Sequence, residues 1–180
     1  MDSKTFPIAG PVLLTVKPFE DERGYFYESF NHKWFRENVA DVVFVQDNQS
    51  MSRNTGTIRG LHYQSAPFAQ GKLMRCLAGA IFDVAVDIRR ESPTFGQWVA
   101  VTLTAAGAEQ FWIPEGFAHG FCTLEPDTTV HYKVTSYYSR EHDKGIAFDD
   151  TDIGVAWPCD ITRATLSAKD RTQPRLAQLD

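Results

Sequence analysis

The chain has 180 residues, 43% of them hydrophobic and 23% charged, with a formal net charge of −5. This composition fits a soluble globular protein with a real apolar core. It argues against a nucleic-acid binder, because no Lys/Arg run supplies a basic face. Cys76, Cys122 and Cys159 are widely spaced and lack a CxxC motif, so neither a disulfide framework nor a zinc site is expected.

No apolar stretch reaches the ~18 residues of a membrane span. The start, Met1 to Phe6, lacks the apolar core of a signal peptide. These features lead to the expectation of a cytoplasmic protein. No repeat or linker divides the sequence, so residues 1–180 are expected to form one domain.

In chain order, Asp21 to Gly24 signals a turn, and Tyr25 to Phe30 alternates so that Phe26 and Glu28 share a face. A short helix is predicted over Asn31 to Asn38, with Asn31 as its N-cap and Trp34 and Phe35 packing inward. Val43 to Ser50 carries Gln46, Asn48 and Ser50 on one side, a polar stripe that faces either solvent or a polar pocket. Lys72 alternates with Met74 and Cys76, which aims a cation toward an apolar interior, where charge is costly unless paired or used. Ile81 to Ile88 places Phe82, Val84, Val86 and Ile88 together, and Trp98 to Leu103 alternates in the same way. Val130 to Tyr138 puts Tyr132 and Tyr138 on one side. From about Asp160 the tail reads as loop and short helix. Many short strands with regular turns argue for an all-β sandwich or barrel.

Two segments carry chemistry. In Arg59 to Gln64 a guanidinium stands beside His62, whose imidazole suits proton transfer near neutral pH. In an unbroken strand Arg59 and His62 would face opposite sides. To share a pocket they need a bulge near Gly60. The second segment, Pro114 to Phe121, sends His119 into an apolar run. His62 and His119 alone make a poor metal shell, since position 60 is Gly and position 64 is Gln, so no metal and no cofactor are expected. Tyr132 has two readings, a core tyrosine or a general acid.

From about Phe19 to Asp170 the chain resembles the nucleotide-sugar 3,5-epimerases that act on dTDP-4-dehydro-6-deoxyglucose. The resemblance rests on Phe19 to Phe30, Val45 to Asn48, Arg59 to Gln64, Gln70 to Arg75, Phe82 to Asp87 and Ile113 to Phe121. Tyr132-Lys133, Leu166-Ser167 and Lys169-Asp170 complete it. It implies a metal-free cupin jelly roll, all-β with a few short peripheral helices. It also implies a homodimer with an early strand crossing to the partner. By the same resemblance His62 matches the base, Asp170 the carboxylate that orients it, Tyr132 the acid on the opposite face of the sugar, and Lys72 the cation beside the C4 oxygen. Arg23, Glu28, Gln46, Asp47, Asn48, Arg59, His119 and Lys169 match substrate contacts, as does Asp143, where the family usually has Glu. Tyr138 matches the ring that stacks on thymine, with Phe19 and Phe26 nearby.

The implied reaction inverts C3 and C5 of a dTDP-4-keto-6-deoxy sugar through enolates, and the residue types suit it independently. A cation stabilises the enolate, a base and an acid exchange the protons, and Arg guanidinium groups bind phosphate. The rivals are a single 3- or 5-epimerase, a ketoisomerase, a non-catalytic sugar-binding cupin and a metal-dependent dioxygenase.

Overall fold

The structure is a computed structural model and describes residues 1–179. β1 (Asp2–Thr5) and β2 (Val12–Thr15) pair antiparallel, and β3 (Phe19–Asp21) and β4 (Gly24–Phe26) form a separate hairpin before the helix α1 (His32–Asn38). β5 (Gln46–Ser52), β6 (Ile58–Gln64), β7 (Lys72–Ala78), β8 (Ala80–Asp87) and β9 (Trp98–Thr104) follow. β10 (Gln110–Ile113), β11 (Phe117–Thr123), β12 (Thr128–Val134) and β13 (Asp143–Gly145) complete the strands.

The strands make a six-stranded sheet, β1-β2-β10-β7-β12-β5, and a five-stranded sheet, β13-β6-β11-β8-β9. All ladders between these strands are antiparallel. The two sheets form the expected all-β jelly-roll sandwich. Three short 3-10 helices, Ile161–Arg163, Asp170–Thr172 and Leu176–Gln178, mark the tail.

Strand alternation sorts the apolar residues into three cores. Met74, Ile81, Ala85, Leu103, Phe111 and Val130 meet between the sheets. Val84, Val86, Leu61 and Cys122 point to the other side of the five-stranded sheet, where Ile153, Trp157 and Leu176 from the tail cover them. Phe35 of α1 packs on Leu14, Leu73 and Trp112 against the outside of the six-stranded sheet. The helix begins as expected, with the Asn31 side chain accepting from the Trp34 N–H. Phe35 lies edge-on to Trp112 and to Phe44, both with centroids at 5.3 Å. It is fully buried, while Trp34 is only half-buried.

Three strand expectations need correction. The Val130 to Tyr138 run stops at Val134, so Tyr138 lies in a loop and not on the face of Tyr132. The ladder ends there because β7 begins at Lys72, and beyond it the Thr135 N–H bonds the Gly71 carbonyl and the chain turns away. β4 stops at Phe26, so Phe26 and Glu28 share no strand face. Glu28 instead accepts from the Asn31 amide at the helix start. The Val43 to Ser50 run becomes regular strand only from Gln46 and continues to Ser52.

Candidate active site

β6 and β11 pair with His62 opposite His119, and Arg59 opposite Phe121. Two residues on β6, Gly60 and Leu61, therefore oppose the single Gly120. This is the bulge that Arg59 and His62 require, and it turns both toward the space between the sheets. Gly60 has φ +135, and a Cβ there would lie 2.6 Å from Gly120 Cα and 2.9 Å from the His119 carbonyl oxygen. Only glycine fits that close approach.

Two adjoining cavities of about 230 and 240 Å³ share His62, Lys72 and Tyr132 in their walls. Gln46, Asn48, Tyr138, Asp143 and Lys169 line the outer one. Ser50, Arg59 and His119 line the inner one. Of its two readings, the polar stripe of β5 thus takes the pocket. His62 stands on the five-stranded sheet and Tyr132 on the six-stranded sheet, so they face the space from opposite sides. A larger depression of about 590 Å³, lined by Arg90, Phe95 and Trp98 among others, lies elsewhere and contains no histidine.

His62 Nε2 lies 2.5 Å from Asp170 Oδ1, and the other Asp170 oxygen accepts from the Ser167 hydroxyl at 2.8 Å. Burial pushes the Asp170 carboxyl up. The His62 bond, the His62 charge, Ser167 and Lys169 outweigh it, and the carboxyl sits below its ordinary value. Asp170 is buried, while the His62 side chain is 30% exposed.

A second pair lies alongside. His119 Nε2 is 2.6 Å from Asp83 Oδ1, and both residues are buried. Burial pulls the His119 imidazole below its ordinary value although Asp83 opposes the shift. Asp83 Oδ2 makes no hydrogen bond.

Lys72 Nζ reaches the His62 carbonyl at 3.4 Å. Burial lowers the ammonium to about 8, with Asp83 and Asp143 acting against that shift. Burial raises the Tyr132 phenol, with the Arg59 charge opposing. Arg59 is steadied by the Ser52 hydroxyl and the Met51 carbonyl, both at 3.1 Å. At the mouth, Asp143 Oδ2 accepts from Tyr138 Oη at 3.0 Å and from Lys169 Nζ at 2.5 Å.

Not every candidate converges here. The Asp47 side chain points to the outer face of its sheet, 3.0 Å from Lys133 Nζ and beside His131. At Asp47 only the backbone, and not the carboxylate, faces the cavity side of the sheet. Alternation decides it, since Gln46 and Asn48 point inward and the residue between them cannot. Phe19, Arg23, Phe26 and Glu28 also stay outside both cavities. Arg23 pairs with Asp21 at the exposed tip of the hairpin.

Sequence reading missed Asp83, Ser167 and Ser52. Asp83 had a readable signal: it alternates with Ile81 and Ala85 on the face of β8 opposite Val84 and Val86. Ser167 and Ser52 had none, because their partners are fixed only by the fold. Among the described residues, no three His, Cys, Asp or Glu side chains form a metal-binding group.

A family profile described as dTDP-4-dehydrorhamnose 3,5-epimerase matches residues 5–178. A curated relative of that description from Sinorhizobium fredii is 54% identical over 176 residues, covering 98% of this chain and 90% of the relative. A crystal structure of dTDP-6-deoxy-D-glucose-3,5-epimerase from Legionella pneumophila in complex with dTDP-4-keto-L-rhamnose superposes with a TM-score of 0.95 at 44% identity. It covers 99% of this chain and 94% of that one. The enzyme from Bacillus anthracis with TDP and pyrophosphate bound gives 0.92 at 46% identity, covering 97% and 98%.

Proposed function

The chain belongs to the dTDP-4-dehydrorhamnose 3,5-epimerase family, and from that premise we propose how its own residues invert C3 and C5 of dTDP-4-dehydro-6-deoxy-D-glucose. The observation that carries the proposal is the placing of His62 on one sheet and of Tyr132 and Lys72 on the other, all three in the walls of both adjoining cavities. A base on one side and an acid on the other are what inversion at carbon requires.

His62 removes the proton from C3, and later from C5, both α to the C4 ketone. Asp170 holds the imidazole through Nε2 and stabilises the imidazolium as it forms. The electron pair moves onto the C4 oxygen, and the Lys72 ammonium stabilises that charge. Tyr132 then gives its phenolic proton to the opposite face of the carbon. Its raised proton affinity keeps it protonated until a carbanion arrives. Exchange with water resets both groups, so no cofactor takes part.

His119 has a different job from Lys72. A neutral imidazole that gives its Nε2–H to Asp83 keeps Nδ1 only as an acceptor. That suits a sugar hydroxyl and not an enolate oxygen. Arg59, in the inner cavity, holds the sugar or the phosphate next to it; Gln46, Asn48, Asp143 and Lys169 line the nucleotide side, and Tyr138 stacks on thymine. Asp47 can contribute only through its backbone.

Phe19, Tyr25 and Phe26 are 75%, 65% and 73% exposed on the β3–β4 hairpin. Such an aromatic patch calls for a partner. We assign it to a second copy of the chain, which receives Phe19, Arg23, Phe26 and Glu28 at its own cavity. The enzyme is thus a homodimer, and its three free thiols suit the reducing cytoplasm.

The test is turnover of the 4-keto sugar in deuterium oxide. Label at both C3 and C5, with a product that a 4-keto-L-rhamnose reductase accepts, is the expected result. Label at C3 alone overturns the double epimerisation. For the dimer, mixing Arg23→Ala subunits with His62→Ala subunits should restore activity, and no recovery refutes the crossing hairpin.

A further inference from the structure

The loop from Thr135 to His142, between β12 and β13, carries Tyr138 to the cavity mouth. Tyr137 and Tyr138 are 64% and 57% exposed, so burial of their rings does not fix this loop. A glutamine amide beneath it does. Gln64 closes the Arg59 to Gln64 segment and is only 7% exposed. Its Nε2 donates to the Phe68 carbonyl at 2.7 Å and to the Tyr137 carbonyl at 3.2 Å. Its Oε1 accepts from the Ser139 N–H at 2.6 Å. The residues on both sides of Tyr138 are therefore held by one side chain.

The chemistry singles out an amide. Two carbonyls need two N–H hydrogens, and one backbone N–H needs an acceptor. A carboxylate of the same shape would turn a lone pair toward both carbonyls, and a thioether would offer neither function. Two single ties assist. Gln70 donates to the Ser136 carbonyl at 2.6 Å, and Gln46 accepts from the Tyr138 N–H at 3.3 Å. Gln64 alone makes two bonds to the loop and a third to Phe68, from the strand that also bears His62.

We infer that Gln64 is a positioning residue for nucleotide recognition: it fixes the loop so that the Tyr138 ring stands ready to stack on the base. The inference rests on the stacking role proposed for Tyr138. Preordering the loop lowers the entropy lost on binding, so its removal weakens nucleotide affinity more than it slows proton transfer.

The experiment measures dTDP affinity by calorimetry and steady-state kinetics for Gln64→Met, Gln64→Glu, Tyr138→Ala and the double variant Gln64→Met with Tyr138→Ala. Gln64→Met and Gln64→Glu should each weaken dTDP about tenfold and raise KM alike, with kcat within about threefold. The double variant should bind no worse than Tyr138→Ala alone, because the loop has nothing left to present. That non-additivity is a result that general destabilisation would not give. Should these replacements fail to fold, Gln64→Asn keeps the amide one methylene short and should still weaken dTDP severalfold.

Affinity within twofold of the unaltered protein for the Gln64 variants, with Tyr138→Ala weakened, overturns the inference and leaves the stacking reading intact. Losses that simply multiply in the double variant also overturn it. Normal dTDP affinity in Tyr138→Ala sinks the stacking reading itself, and the inference with it.

Discussion

His62 with Asp170 and His119 with Asp83 are the same two side chains joined the same way, Nε2 to carboxylate at 2.5 and 2.6 Å. They even sit opposite each other, since His62 and His119 are register partners on β6 and β11. The surroundings differ. His62 is 30% exposed and its carboxylate comes from the tail, whereas His119 is 7% exposed and its carboxylate comes from the neighbouring strand β8. A base that must meet a substrate and then shed its proton needs an open face. A buried imidazole held neutral is suited to receiving one fixed hydrogen bond. The lesson is that accessibility, and not residue identity, divides the labour between the two pairs.

That division is most sharply tested at His62. His62→Asn should lower turnover by about 10⁴-fold, the upper range for a general base, while dTDP affinity stays within a few-fold. Comparable losses in His62→Asn and His119→Asn, measured side by side, would erase the distinction. Tyr132→Phe comes next, with an expected loss of about 10²–10³-fold. His62 still removes protons in that variant, so deuterium exchange without inverted product, read by NMR, is its signature.

Lys72→Met should cost about 10²-fold in kcat, the range of a lost electrostatic stabiliser. In the unaltered enzyme the ammonium is discharged above about 8, so turnover should fall as pH rises past that value. Stability moves the other way. The group binds its proton less tightly folded, about 8, than unfolded, 10.5. Between those values the unfolded chain holds more protons, and folding is favoured as pH rises. Lys72→Met removes this penalty at pH 7 and should raise Tm by about 3 °C. A variant that is both less active and less stable contradicts the account of Lys72 as a costly, functional cation.

The smallest expected catalytic effect is at Asp83. Asp83→Asn leaves a buried imidazole with a weaker partner, so its main cost should be stability, about 1–3 kcal/mol. The specificity constant kcat/KM should drop about tenfold or less, mostly through KM. A denaturant titration beside the kinetics measures both, and a loss as large as that of Asp170→Asn would show that the two pairs do the same work.

Much of this molecule was legible in the amino-acid order. The helix cap at Asn31, the inward cation at Lys72, the inward Tyr132 and the need for a bulge at Gly60 all follow from local periodicity and from what glycine permits. These are short-range rules, and the structure obeys them. The outward turn of the Asp47 side chain was legible too, for the same alternation that brings Gln46 and Asn48 inward sends it out.

Tertiary structure decided the remainder. Nothing within the Val130 to Tyr138 run says that its partner strand begins at Lys72 and ends the ladder there. Local periodicity near His62 announces neither a carboxylate 108 positions away, which only the family resemblance named, nor a serine three residues before that carboxylate. Pairing and burial are collective quantities, set by which strands adjoin and by what covers them. The sequence by itself determined which side chains could do proton chemistry and which way each strand would turn them. Only the folded sandwich determined which histidine was left open to use it, because exposure belongs to the whole packing and to no single segment.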